Sequence, residues 1–404
     1  MKIDRMKWTL LLVTLLAMSL GACGKKGDKK DDGKPAGDMT ADMGGDMGAV
    51  APKPAEPEKP KVAIDEAFMK SLKAIVADCE IGPDDTYLSK CKGKLADELV
   101  DAYREHKDKK FEDTLDTLAV ALTDKDHALN VVAAEFINGM YSNITNVGER
   151  AMKFDKDAAG RFLAAVGKVK SPSMLGRLAI AVTYIATLAE QDKALFELIE
   201  AQKDIRPYVL GKVMQFGRMR VFPKVQEYAK STEAPVAAAA VSAPLSMYDT
   251  TADEAKVICP WALGFLTSEV DQIFSNAGFN LIRCKGEYID KLLDEGEKRL
   301  KEDKFNRDYY FVFRDICFSM MAGAIKEPGV EAQCDRNYKF LESVAKNKKI
   351  DGEFRALALD AIYYQRRDKK TLDVLKKYAN DKDAKIKEMV KKDIESLKTH
   401  YKVK

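Results

Sequence analysis

From Ile64 to the C-terminus, apolar residues recur at intervals of three and four. No stretch sustains the alternation that a half-buried strand requires. Ile64, Phe68, Leu72, Ile75 and Val76 share one face of a helix, and a Pro/Asp turn at Gly82-Pro83-Asp84-Asp85 follows. A second helix is expected from about Thr86 to His106, with Leu95, Leu99 and Tyr103 inward. The pattern continues as segments of 12 to 20 residues separated by Gly, Pro, Asp or Asn. The fold class expected is therefore all-α.

The segments repeat. Thr114-Leu115-Asp116-Thr117-Leu118 is followed five residues later by Asp124-Lys125-Asp126, and Thr371-Leu372-Asp373-Val374-Leu375 is followed at the same interval by Asp381-Lys382-Asp383. Both read as helix, acidic turn, helix, with Asp126 and Asp383 placed to accept orphan N–H groups at the second helix start. That second helix carries Phe354, Ala358, Ala361 and Ile362 on one stripe after Asp351, and Ile386, Val390, Asp393 and Ile394 after Asp383. Leu129, Asn130, Ala133, Phe136 and Ile137 follow Asp126 in the same register, and looser copies begin at Ser171-Pro172 and Glu233. The pattern resembles the HEAT repeat family, most closely over 351–397 and 108–140 and least over 235–350. Arg355 stands at the family's arginine position, whereas Lys387, Asn130 and Ala237 occupy it elsewhere. The resemblance implies an α-solenoid of stacked antiparallel helix hairpins, HEAT- or armadillo-like, over residues 63–404.

The N-terminus has a different character. Lys2, Arg5 and Lys7 outnumber Asp4, and Trp8 to Leu20 is an almost wholly apolar run of 13 residues. This is the layout of a secretory leader, and it is too short to span a bilayer as a helix. Leu20-Gly21-Ala22-Cys23 then resembles the lipobox of bacterial lipoproteins. The resemblance implies that residues 1–22 are a signal peptide and that Cys23 is lipidated and anchors the chain to a membrane. Several acyl chains on one residue hold a protein there stably. Gly24, where enteric families place an inner-membrane Asp, points to the outer membrane, on its periplasmic or surface face. From Gly24 to about Val62 the chain is rich in Lys, Asp, Gly, Ala and Pro. It lacks the apolar surface needed to offset ordering, so a disordered linker is expected over 23–62. As a flexible coil it would span about 35 Å. Met39, Met43 and Met47 recur every four residues; thioethers can bind Cu(I), but a low-complexity linker is the preferred reading.

Seven cysteines are present, and lipidation of Cys23 leaves an even six in an exported chain, which favours disulfides over free thiols. Each sequential pair straddles an expected turn symmetrically, as residues of an antiparallel helix pair do. The expected bridges are Cys79–Cys91, Cys259–Cys284 and Cys317–Cys334. The Cys spacings are not zinc-like and the only histidines are His106, His127 and His400, so no metal or cofactor is expected.

The net charge is +3 with 32% charged residues, which is not the composition of a nucleic-acid binder. No nucleophile elbow, phosphate-binding loop, dinucleotide fingerprint or His-Glu-x-x-His is present, and no catalytic residues are expected. The charged stretches Glu287 to Lys304 and beyond Arg366 read as solvated helix faces. Asp308 to Phe318 is aromatic on most sides and reads as a buried helix. The expected function is that of a lipid-anchored, non-enzymatic envelope scaffold or adaptor that binds a protein partner. An alternative is a receptor for a small ligand or glycan, with a pocket near Tyr309–Phe313. An envelope enzyme would instead need carboxylates clustered around a cleft.

Overall fold

The computed structural model describes residues 62–85, 93–105, 109–145, 153–321 and 330–404. The chain divides into two units, Met1–Glu58 and Lys59–Lys404, and all of these residues belong to the second. They are all-α, with no strand among the described residues. Residues 62–65 enter extended and are held by the first helices: Ala63 N–H donates to Asp116 Oδ2 at 3.0 Å, and Asp65 N–H to Thr117 Oγ1 at 2.9 Å. Arg161 closes on the same Asp116 carboxylate at 2.7 Å.

In chain order the helices are α1 (Glu66–Asp78), α2 (Leu95–Glu105), α3 (Leu115–Leu122), α4 (His127–Thr145), α5 (Lys156–Val166) and α6 (Pro172–Leu188). Next come α7 (Asp192–Ala201), α8 (Arg206–Leu210), α9 (Met214–Tyr228), α10 (Ala234–Ser242), α11 (Ala252–Leu263) and α12 (Asp271–Cys284). The last six are α13 (Glu287–Lys301), α14 (Arg307–Met321), α15 (Val330–Lys346), α16 (Gly352–Gln365), α17 (Lys369–Lys376) and α18 (Ala384–Thr399). Several starts carry side-chain caps, those at Asp126 and Asp383 as the sequence suggests. Asp351, Asp383 and Asp126 each accept a hydrogen bond from the N–H two residues on, at 2.8–3.0 Å. Ser171 accepts from Met174 ahead of a helix with proline in its first turn, and Thr251 and Glu254 form a reciprocal capping box.

Packing runs between second neighbours. Helix α4 packs on α6, α6 on α8, α8 on α10, and so on through α12, α14 and α16 to α18. The odd helices flank this row: α1, α3, α5 and α7 contact in sequence, as do α11, α13 and α15. Ring pairs Phe196–Tyr228 and Phe222–Trp261 carry α7 to α9 and α9 to α11. The core therefore runs between the two rows, and every interior helix borrows its apolar surroundings from both sides. Close approach needs a missing side chain at two places. A Cβ on Gly278 would lie 2.5 Å from Val312, and one on Gly296 would lie 2.3 Å from Phe313.

Polar side chains tie two of the turns to the helix before them. Asn130 Nδ2 donates to Ala121 O at 2.8 Å, and Arg355 Nε donates to Ala345 O at 2.8 Å. The two residues share a register position, and both reach back to carbonyls in the last turn of the preceding helix. Arg355 also meets Asp381 at 3.3 Å in the following turn. Arg299 is the most enclosed of these groups. It donates to Leu266 O and Ser268 O at 3.0 and 2.7 Å and to Tyr309 Oη at 2.6 Å, pairs with Glu295 at 3.0 Å, and lies over the Phe274 ring.

Two residues depart from the expected faces. Ile64 is 42% exposed because it precedes the cap Asp65, and Leu95 is 44% exposed because it opens α2 rather than lying within a helix from Thr86. Residues 86–92 and His106 lie outside the described residues. Two expected disulfides are present: Cys259–Cys284 joins α11 to α12 with Cα atoms 5.9 Å apart, and Cys317–Cys334 joins α14 to α15 at 5.6 Å. The third, Cys79–Cys91, falls on Cys91, outside the described residues.

Replacing Arg299 with Met leaves the Leu266 and Ser268 carbonyls and Tyr309 without their shared donor. Urea unfolding should show a loss of about 3 kcal/mol. Removing the Cys259–Cys284 bridge as a double Ala variant should lower stability by a similar amount, about 3 kcal/mol, through the entropy of the released loop.

Candidate functional site

The aromatic stretch on α14 divides between the core and the α16 side. Tyr309, Phe313, Ile316 and Cys317 are core residues, and Tyr309 Oη donates to Asp271 at 2.6 Å. The main-chain carbonyl of Phe313 accepts from Asn337 at 2.8 Å and Gln365 at 3.1 Å. Tyr310 is also a core residue, and it turns toward α16, where its hydroxyl donates to Asp360 Oδ2 at 3.4 Å. Arg314, one turn on, pairs with Asp315 at 2.7 Å, and its guanidinium lies 5.2 Å from the Phe311 ring. A cavity of about 200 Å³ lies beside the start of α14, lined by Leu300, Asp303, Phe305, Asn306, Ile350 and Phe354 among others. Pockets that enclose drug-sized ligands run larger, about 300–1,000 Å³.

Helix α18 carries a second carboxylate, Asp393, that feels the charge of Asp360. Tyr363 on α16 and Ser396 on α18 share a hydrogen bond of 2.8 Å. Asp360 and Asp393 lie three residues before them in both helices, so they occupy matching positions one turn earlier. Asp393 is 4% exposed, and its Oδ2 has no hydrogen-bond partner. Burial, and then the negative charge of Asp360, raise its pKa to about 7; Lys392 acts in the opposite sense. Burial also raises the Asp360 carboxyl, opposed by the Tyr310 hydrogen bond and by Arg314 and Lys392. Tyr364, 43% exposed, stands one turn beyond Asp360 on the same helix.

The even-numbered row carries charge elsewhere too. Glu135 on α4 and Arg177 on α6 pair at 2.9 Å, both largely buried. Lys212, between α8 and α9, has its ammonium drawn below the usual lysine range by burial and then by the charge of Arg283 on α12. Arg283 itself donates to Met247 O at 3.1 Å. The charged stretch on α13 packs against α15: Arg336 reaches Asp294 at 2.6 Å, Glu297 at 3.0 Å and Asp290 at 3.6 Å.

The remaining sequence candidates are scattered. His127 Nε2 meets Asp85 at 2.8 Å, and His400 ends α18. No group of three or more His, Cys, Asp or Glu is placed to hold a metal among the described residues. Cys23 and Met39, Met43 and Met47 lie outside those residues. No helix among the described residues is long and apolar enough to cross a membrane. The carboxylate pair was missed in the sequence, although it left one signal. Asp393 occupies the stripe position that Ala361 fills in the preceding copy, an acid where the pattern is apolar or small.

No family model matches the chain, and no curated protein matches it. Among the solved structures it is similar to the crystal structure of an engineered protein from a structural genomics consortium. The two are 15% identical, with 82% of this chain and 95% of that one covered and a TM-score of 0.30.

In the unfolded chain Asp393 ionises near pH 4. Between about pH 4 and 7 the folded chain holds a proton that the unfolded chain releases, so stability falls as pH rises through that window and levels off above it. The effect is on the order of 4 kcal/mol. Asp393→Asn should flatten the profile and leave the variant about 2–4 kcal/mol more stable than wild type at pH 8, as read by urea unfolding from pH 4 to 8.

Proposed function

We propose that this chain is a lipid-anchored, non-enzymatic protein of a bacterial envelope, acting as a scaffold or adaptor that binds a polypeptide through a helical-repeat surface. In this reading residues 1–22 are removed, acyl chains on Cys23 hold the protein at the outer membrane, and residues 23–62 tether the helical body. That body is an α-solenoid of HEAT type. The observation that carries the reading is the unbroken contact of every second helix from α4 to α18. Contact between successive units alone is the energetic pattern of repeat proteins, and it leaves a long row of helices open to a partner. The turn-anchoring pairs support the same reading, because Asn130 and Arg355 perform one task in two copies. The buried and half-buried charges along the even row suit recognition of a polypeptide by its side chains rather than enclosure of a small molecule.

Two measurements test this. Metabolic labelling with an alkyne fatty acid should mark the wild-type chain and fail to mark Cys23→Ser; an unlabelled wild type would remove the anchor. Crosslinking in intact cells, with the lipidated protein as bait, should enrich one polypeptide joined through residues of the even-numbered helices. Recovery of lipid and bulk envelope proteins alone would count against the scaffold.

A further inference from the structure

Three tyrosine rings gather around one arginine near the C-terminus. Arg367 stands in the turn between α16 and α17, and its guanidinium carbon lies 4.6 Å from the centre of the Tyr401 ring, 5.7 Å from Tyr363 and 5.8 Å from Tyr364. The rings brace one another edge to face, Tyr363 with Tyr364 at 5.2 Å and with Tyr401 at 6.4 Å. Tyr363 is buried and fixed through its hydroxyl to Ser396, while Tyr364 and Tyr401 are 43% and 42% exposed. Attraction between cation and rings orders a side chain that would otherwise sample many rotamers. Arg367 is exposed, and no carboxylate or carbonyl among the described residues accepts a hydrogen bond from it. Its chain neighbours are already engaged. Arg366 pairs with Asp335, and the Asp368 carboxylate accepts from Thr371 N–H at 2.9 Å to cap α17. Asp360 and Asp393, on the same two helices, lie a turn or more before the rings, and burial raises both carboxyls.

We propose that Arg367, cradled by Tyr363, Tyr364 and Tyr401, is the docking point for a carboxylate side chain of an acidic polypeptide. This names the partner chemistry of the protein-binding reading above and rests on it for the carrier. An ordered, exposed guanidinium whose donors meet no acceptor is a preformed fork for a carboxylate, which it can hold by two parallel hydrogen bonds. The entropy of fixing the side chain is spent before the partner arrives. Local charge selects the same partner. From Arg366 to Lys404 there are fourteen Lys and Arg against seven Asp and Glu, although the whole chain carries only +3. Tyr and Arg are also enriched among the residues that carry most of the binding energy of protein interfaces. A membrane surface fits less well. Insertion needs an exposed apolar face, and Ile386, Val390 and Leu397 of α18 are buried.

Fluorescence anisotropy on the full mature chain carrying Cys23→Ser, a change outside the described helices that prevents acylation, tests the site. The probes are rhodamine-labelled Gly-Glu-Glu-Glu-Glu-Gly-amide and its counterpart with Gln in place of Glu. The acidic peptide should bind saturably, and the Gln peptide about tenfold more weakly or not at all. Arg367→Lys keeps the charge and loses the fork, and it should weaken the acidic peptide about tenfold. Tyr401→Leu keeps an apolar side chain and loses the ring, and it should weaken the peptide about fivefold. Both positions are exposed, so circular dichroism and the thermal midpoint should stay at wild-type values. Equal affinity for the two peptides, no saturation, or full binding by Arg367→Lys, which would mean that diffuse charge suffices, would each overturn the site. Two outcomes without peptide binding would overturn the polypeptide carrier: cosedimentation with phosphatidylglycerol vesicles that Arg367→Lys abolishes, and self-association that the same variant abolishes. None of these results alters the crosslinking outcome, so the two readings fail separately.

Discussion

No helix of this protein can bury its apolar stripe alone, and the structure follows from how that need is met. An amphipathic helix in water gains most of its stability from the neighbour that covers it. Here the cover comes from the adjoining helix and from the helix two places away, and the same relation holds from α4 to α18. Close packing makes the arrangement specific. Gly278 and Gly296 admit Val312 and Phe313 at distances that no side chain would permit.

Apolar contact by itself leaves the angle between neighbouring helices loosely defined. The polar residues at the turns fix it. Arg299 gathers two carbonyls of the Leu266–Ser268 turn and the Tyr309 hydroxyl. Asn276 and Asn280 on α12 donate to Ala238 and Val241 on α10 at 2.7 and 2.8 Å. Each such bond ties one helix to a backbone carbonyl of another segment, and it is directional where dispersion is not. The disulfides at Cys259–Cys284 and Cys317–Cys334 join neighbouring helices in the same part of the chain.

Against this background the α16–α18 contact is unusual. The Tyr363–Ser396 hydrogen bond sets the two helices in matching register and so brings Asp360 and Asp393 together. The fold gains nothing from that encounter. Burial raises both carboxyls, Asp360 raises Asp393 further, and one oxygen of Asp393 is left unpartnered, which is a stability deficit.

The sequence alone determined the helices, their caps and two of the bridges, because these depend on residues close together in the chain. A three-to-four period, an Asp at a helix start and a Cys pair symmetric about a turn are local properties, legible without coordinates. Where locality failed, the expectations failed with it. Ile64 and Leu95 match the period but fall just outside the packed part of a helix, and only the fold shows where packing begins. The aromatic run on α14 was legible as buried, yet which ring faced α16 was not. The pairing of Asp360 with Asp393 needed tertiary structure altogether. The two lie 33 residues apart, and what relates them is the lateral register of two helices, set by the Tyr363–Ser396 bond and by packing that no single segment encodes.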